Sequence, residues 1–191
     1  LVVQRLLTDS VVWGYGLLIG GINGALFSYY AEAPFIFMTH FGYSAVAYGW
    51  LGLVLAAASL LGALIVGRLL NRWTPEQVTG GGLIVSMVMS AGLVGAAALH
   101  QATLMIIGIF LTFFGFNITL PNALNRALLG YEQVMGSASG WFNLGYYLLV
   151  STVTYGMSWW HNGAINRLPL YLLVLSLGMG LAFWRLVRRH Q

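Results

Sequence analysis

The sharpest chemical feature of the sequence is a carboxylate inside an apolar run. Glu32 lies within Ser28-Tyr29-Tyr30-Ala31-Glu32-Ala33-Pro34-Phe35. A carboxylate at bilayer depth is costly, so such residues face a cavity or a partner. A carboxyl desolvated in this way can load and release a proton near neutral pH. Distance along the helix supports a second reading. Glu32 is about 21 residues into its run, or ~31 Å at ~1.5 Å per residue, which puts it in the outer third near the headgroups. Composition and spacing leave both readings open.

Polar residues elsewhere fall at helical spacing. At about 100° per residue, Gly21, Ala25, Ser28 and Glu32 share one face, and Asn23, Phe27 and Tyr30 share the opposite one. The small-residue face is expected to pack and the Asn23 face to be wet, with Pro34 able to bend the helix. Asn117, Pro121 and Asn125 recur at i, i+4 and i+8, with Asn122 alongside. Proline frees a backbone carbonyl, which an amide can satisfy unless it binds a substrate. Asn143, Tyr147, Ser151 and Thr154 form a further stripe. Stripes of this kind line cavities, and they also glue helices together. The candidate cavity residues are therefore Asn23, Tyr30, Glu32, Asn117, Asn122, Asn143, Tyr147 and Ser151.

Catalytic chemistry finds little support. Gly136-Ser137-Ala138-Ser139-Gly140 lacks the serine spacing of a hydrolase loop. No histidine lies within an apolar run to serve as its base. There is no cysteine, no paired aspartate and no cluster with metal-ligand spacing, so no enzyme activity, metal or cofactor is expected.

The elements that position these residues follow from composition. Of 191 residues, 59% are hydrophobic and 6% charged. A soluble domain needs about 25% charged residues to cover its surface, so lipid must be the solvent here. Six runs are long enough to cross a hydrocarbon core of ~30 Å as helices. They cover about Val11–Met38, Ala45–Leu69, Gln77–Leu99, Ala102–Asn125, Ser137–Trp159 and Leu168–Val187. Thr74 is suited to cap the third and Pro75 to its first turn. Residues 1–191 are expected to form a single all-α domain of six transmembrane helices.

Arginine sets the orientation. The chain has no lysine. With six spans, Arg5, Arg68, Arg72, Arg126, Arg185, Arg188 and Arg189 fall on one side and only Arg167 on the other. The arginine-rich side is expected to be cytoplasmic, with both termini there. The arginines form no basic patch, so the net charge of +4 does not point to nucleic acid. Pro34 and Pro121 interrupt the first and fourth runs, as in two inverted three-helix repeats of a transporter. The chain opens on Leu1 without methionine, which is expected of a fragment or a processed product.

Three stretches resemble the C-terminal half of a major facilitator superfamily transporter, closest to the bicyclomycin-resistance-like drug/proton antiporters. Phe27 to Ile36, followed by Phe41-Gly42-Tyr43-Ser44, is similar to the seventh helix and its loop. A small residue, often serine, is common there where this chain has Glu32. Gly67-Arg68-Leu69-Leu70-Asn71-Arg72 resembles a degenerate second copy of the superfamily's loop motif. Pro121-Asn122-Ala123-Leu124 and Gly136 to Gly140 resemble the tenth helix and the start of the eleventh.

The resemblance implies a parent with twelve helices and a substrate cavity between two halves. It implies an N-terminal six-helix half as partner, in a bacterial inner membrane. It also implies proton-coupled efflux of small organic compounds, with protons and a small molecule as ligands and the main coupling acids in the other half. The alternative expectation is a self-contained six-helix structural or interaction protein of the membrane. An upstream gene region encoding six more spans would separate the two.

Overall fold

A computed structural model describes residues 2–187. Arg188 and Arg189, assigned above to the arginine-rich side, lie outside the described residues. All regular structure among the described residues is helical. A short helix α1 (Val2–Thr8) precedes α2 (Ser10–Pro34), which runs on as a π-helical segment through His40. Then come α3 (Ala45–Leu69), α4 (Pro75–Ala98), α5 (Ala102–Arg126), α6 (Met135–Trp160) and α7 (Arg167–Ala182), the last continuing as a π segment to Val187.

Caps fix the starts. The Asp9 carboxylate accepts from the N–H groups of Val11 and Val12 at 3.0 and 3.3 Å. Ser44 caps α3 through the Ala47 N–H. Thr74 and Gln77 form a reciprocal capping box with Pro75 in the first turn of α4, as the sequence predicts. The prolines act differently. α2 leaves α geometry directly after Pro34, because proline removes a donor and crowds the carbonyl four residues back. α5 continues through Pro121 without a break.

Five helical stretches are long and apolar enough to cross a membrane: Ser10–His40, Ala45–Leu69, Pro75–Ala98, Ala102–Arg126 and Arg167–Arg185. α6 is equally long at 26 residues, but its serines, threonines, tyrosines and Asn143 make it less apolar.

Small residues set the close approaches. In α4 and α5, Gly82 and Gly115 face each other, so a Cβ on Gly82 would sit 2.7 Å from the Gly115 carbonyl oxygen. Ser86 Oγ donates across this seam to the Thr112 carbonyl, and Thr119 Oγ1 to that of Thr79. α2 meets α6 through Gly16, Gly20 and Gly24, which receive Phe142, Leu149 and Val153. Numbers rise together along this seam, so α2 and α6 run parallel. Gly21 admits Met179 of α7, and Gly62 of α3 admits Asn117 of α5. α2, in contact with α5, α6 and α7, is the most enclosed of the five stretches, and α3 is the least.

Candidate functional site

The two ends of the bundle carry different chemistry. At one end the Arg126 guanidinium pairs with Glu76, joining the end of α5 to the start of α4. Tyr131 Oη donates to Asp9 Oδ2 at 3.0 Å and ties the α5–α6 connection to the cap of α2. In the same connection the Gly130 N–H donates to Glu132 Oε1 at 3.0 Å. That bond holds the exposed Glu132 carboxyl below its ordinary value.

At the other end Glu32 meets His161. Nδ1 of His161 donates to both carboxylate oxygens, at 2.8 and 2.9 Å. Glu32 is 4% exposed, so the imidazole is its shield as well as its partner. Phe35 packs on the His161 ring with centroids 4.7 Å apart. His40 Nε2 donates to the Gly163 carbonyl, binding the π segment to the same α6–α7 loop. Arg167 lies over Trp160, 5.1 Å from the ring centroid. Neither carboxylate pairing, Glu76 with Arg126 nor Glu32 with His161, was read from the sequence. Each joins helix ends that antiparallel or parallel neighbours must bring together, which is the signal that could have found them.

The small-residue face of α2 packs, as the sequence predicts. Gly21, Ala25, Ser28 and Glu32 are buried. Phe27 and Tyr30 are exposed, and Asn23 is half-buried. On α6, Asn143, Tyr147 and Ser151 are exposed, with Tyr147 stacked on Tyr146 at 4.4 Å. Beside them, at the Asp9 end, Trp13 and Gly16 of α2 and Trp141, Phe142 and Leu149 of α6 line an apolar groove of about 250 Å³. The asparagines of α5 sit deeper. Asn117 is half-buried against α3, and Asn122 is 3% exposed.

Three of the candidate amides bond their own helices. Asn23 donates to Ile19, Asn117 to Phe113 and Asn122 to Ile118, each to the carbonyl four residues back. Such bonds fix the side chain and leave the amide oxygen as an open acceptor. Tyr29 bridges the helices, edge-on to Tyr30 and to Phe113 with centroids 5.7 Å apart in both cases. The structure thus brings Tyr30, Asn23, Tyr147 and Ser151 onto the accessible sides of the neighbouring helices α2 and α6, and sets Asn122 and Glu32 inside. Among the described residues no three His, Cys, Asp or Glu side chains gather as a metal site.

The family profile described as Major Facilitator Superfamily matches residues 2–154. A protein of Rickettsia felis named an uncharacterized transporter is 30% identical over 96% of this chain and 48% of its own length. A Rickettsia bellii protein of the same name matches at the same identity and coverage. A chloramphenicol resistance protein of Pseudomonas aeruginosa is 26% identical over 86% of this chain and 40% of its own length. The chain spans about half the length of the curated relatives it matches first. With a profile covering most of its length and helices suited to a bilayer, this chain is an integral membrane protein that belongs to the Major Facilitator Superfamily.

Proposed function

We propose that this chain is one six-helix half of a secondary transporter that exports small, largely apolar organic compounds in exchange for protons. The observation that carries this reading is that the neighbouring helices α2 and α6 both keep polar and aromatic side chains accessible. Tyr30, Asn23, Asn143, Tyr147 and Ser151 offer hydrogen bonds and ring surface there. A cavity for an apolar drug-sized ligand needs that mixture, with few polar groups placed among many apolar ones. The partner that would close the cavity is an N-terminal half of the same parent, a reading supported by relatives about twice as long as this chain. The relative named a chloramphenicol resistance protein supports a small aromatic drug as the solute.

α6 is the fifth span in chain order and completes the set of six in this reading. It accompanies α2 from the Gly16–Phe142 contact to the Glu32–His161 bond, so the two have the same depth. Arg68, Arg72, Arg126 and Arg185 then share an end, which is cytoplasmic by the excess of arginine. Both termini lie there, the membrane is a bacterial inner membrane, and α2–α4 and α5–α7 are the two inverted repeats, with Pro34 and Pro121 in equivalent helices. In this reading the other half carries most of the proton coupling.

The test is reconstitution of the full-length parent in proteoliposomes with an imposed proton gradient. Gradient-driven movement of chloramphenicol or of a lipophilic cation, lost on Tyr147→Ala, is the expected result. No solute movement above empty vesicles across a panel of such compounds would sink the reading.

A further inference from the structure

We propose that the groove where the α3–α4 turn, the first turns of α4 and the end of α7 meet holds an anionic phospholipid. The groove encloses about 590 Å³, and its two ends differ in chemistry. Arg72 and Trp73 form an exposed rim. Arg72 makes no ion pair among the described residues. The carboxylate that also reaches this groove, Glu76, is held by Arg126. The rim therefore keeps an uncompensated guanidinium, and Arg68 and Arg185 stand exposed at the same end.

Gln77 spends its side-chain oxygen on the Thr74 N–H in the capping box, which leaves amide N–H groups to donate. Guanidinium and amide donors at a membrane surface select phosphate oxygens. Tryptophan at the same level anchors to the headgroup layer.

Below the rim the groove is apolar because two side chains are missing. A Cβ on Gly81 would meet nothing within 4 Å, and one on Gly80 would reach only Phe183, at 3.4 Å. Ile84 lines the slot and is 58% exposed, and Val88, one turn further along α4, is 57% exposed. A cationic, aromatic rim leading into a narrow apolar track along a membrane helix matches a headgroup phosphate followed by an acyl chain. This proposal rests on the membrane-spanning reading alone. It is measured as binding, so it stands or falls apart from transport.

The full-length parent, purified in detergent, is titrated with phosphatidylglycerol, phosphatidylcholine or inorganic phosphate. Retained lipid is read by native mass spectrometry and stability by melting temperature. The wild type should retain phosphatidylglycerol over phosphatidylcholine, and phosphate alone should not raise the melting temperature. Arg72→Gln should lower phosphatidylglycerol retention about fivefold, the weight of one arginine near an anionic surface, and Arg72→Lys should keep most of it. Gly81→Leu, which starts a side chain into the slot from a position where a Cβ meets nothing within 4 Å, should cut retention of both lipids. Gly81→Ala serves if the leucine variant does not fold.

Equal retention of the two lipids by wild type would overturn the proposal. So would unchanged phosphatidylglycerol retention in Arg72→Gln, or a phosphate effect equal to that of the lipid.

Discussion

Glu32 and His161 stand 129 positions apart in the chain and meet at 2.8 Å. The bond closes the end of the α2–α6 seam. α2 reaches it just before Pro34 turns the helix into a π segment, and α6 reaches it at its C-cap. A buried carboxylate that loses its hydrogen-bonding partner is left with its desolvation cost. His161→Ala should therefore lower stability by about 1–3 kcal/mol, the cost of a buried polar group left unsatisfied, while Glu32→Gln should cost less. The double variant should be more stable than the sum of the two predicts. Melting of the purified parent in a double-mutant cycle measures this, and strict additivity would show that the pair is not coupled.

The glycine seam makes a second prediction. A Cβ on Gly24 would stand 2.6 Å from Cγ1 of Val153, and one on Gly20 2.5 Å from Cδ2 of Leu149. Gly24→Ala should destabilise the protein by about 1–3 kcal/mol, the range for overpacked interiors. Adding Val153→Ala should restore much of it by vacating that space. Gly49→Ala and Gly52→Ala, where a Cβ meets nothing within 4 Å, should be tolerated. Thermal denaturation in detergent separates these outcomes, and equal losses at Gly24 and Gly52 would contradict the seam.

Topology is testable because the chain has no cysteine. Asn71 and Asn162 are both exposed, in the α3–α4 and α6–α7 loops. In right-side-out vesicles, Asn162→Cys should react with an impermeant maleimide and Asn71→Cys only after permeabilisation. Labelling of both from the same side would remove α6 from the set of spans.

Helix boundaries were legible in the sequence to within a few residues because apolar length and punctuation are local. Ala45–Leu69 coincides in both descriptions, and the Thr74 cap is where residue types put it. The buried face of α2 was legible for the same reason, since helical spacing alone puts Gly21, Ala25, Ser28 and Glu32 together. Pairings between helices were not legible. That His161 shields Glu32 depends on α2 and α6 running side by side, and only packing decides that. The weak apolarity of α6 has the opposite cause. Its polar stripe, which spacing leaves open as cavity lining or helix glue, is the property that keeps it out of the five strongly apolar stretches.

The α2–α6 face predicts a pattern of transport defects. Tyr147 is 59% exposed and Tyr30 49%, so neither holds the fold together as a buried ring would. Tyr147→Ala and Tyr30→Ala should leave expression and melting close to wild type and lower solute affinity about tenfold each, the scale of a lost aromatic contact in an apolar site. Tyr147→Phe should retain most affinity where stacking dominates. Ligand binding measured by tryptophan quenching in the purified parent checks this. Unchanged affinity in both alanine variants would move the cavity off this face.

The last prediction concerns protons at Glu32. The carboxylate is enclosed by His161 and reached from the end opposite Arg126 and Glu76. Protonating it would remove the charge that holds the imidazole, and parting from His161 would leave it buried without a counter-charge. A conformational change that opens this end of the α2–α6 seam would therefore couple to proton uptake, and closing the seam to release. Glu32→Gln keeps the shape and can still bond His161, but it cannot titrate. In purified full-length parent, addition of a transported solute should release fewer protons from Glu32→Gln than from wild type, with Glu32→Asp in between. His161→Gln should also alter the release by replacing the imidazole that bonds the carboxylate with an uncharged amide that can still hydrogen-bond. Equal release from wild type and Glu32→Gln would make the Glu32–His161 bond a structural tie between α2 and α6. It would leave coupling to acids elsewhere in the parent.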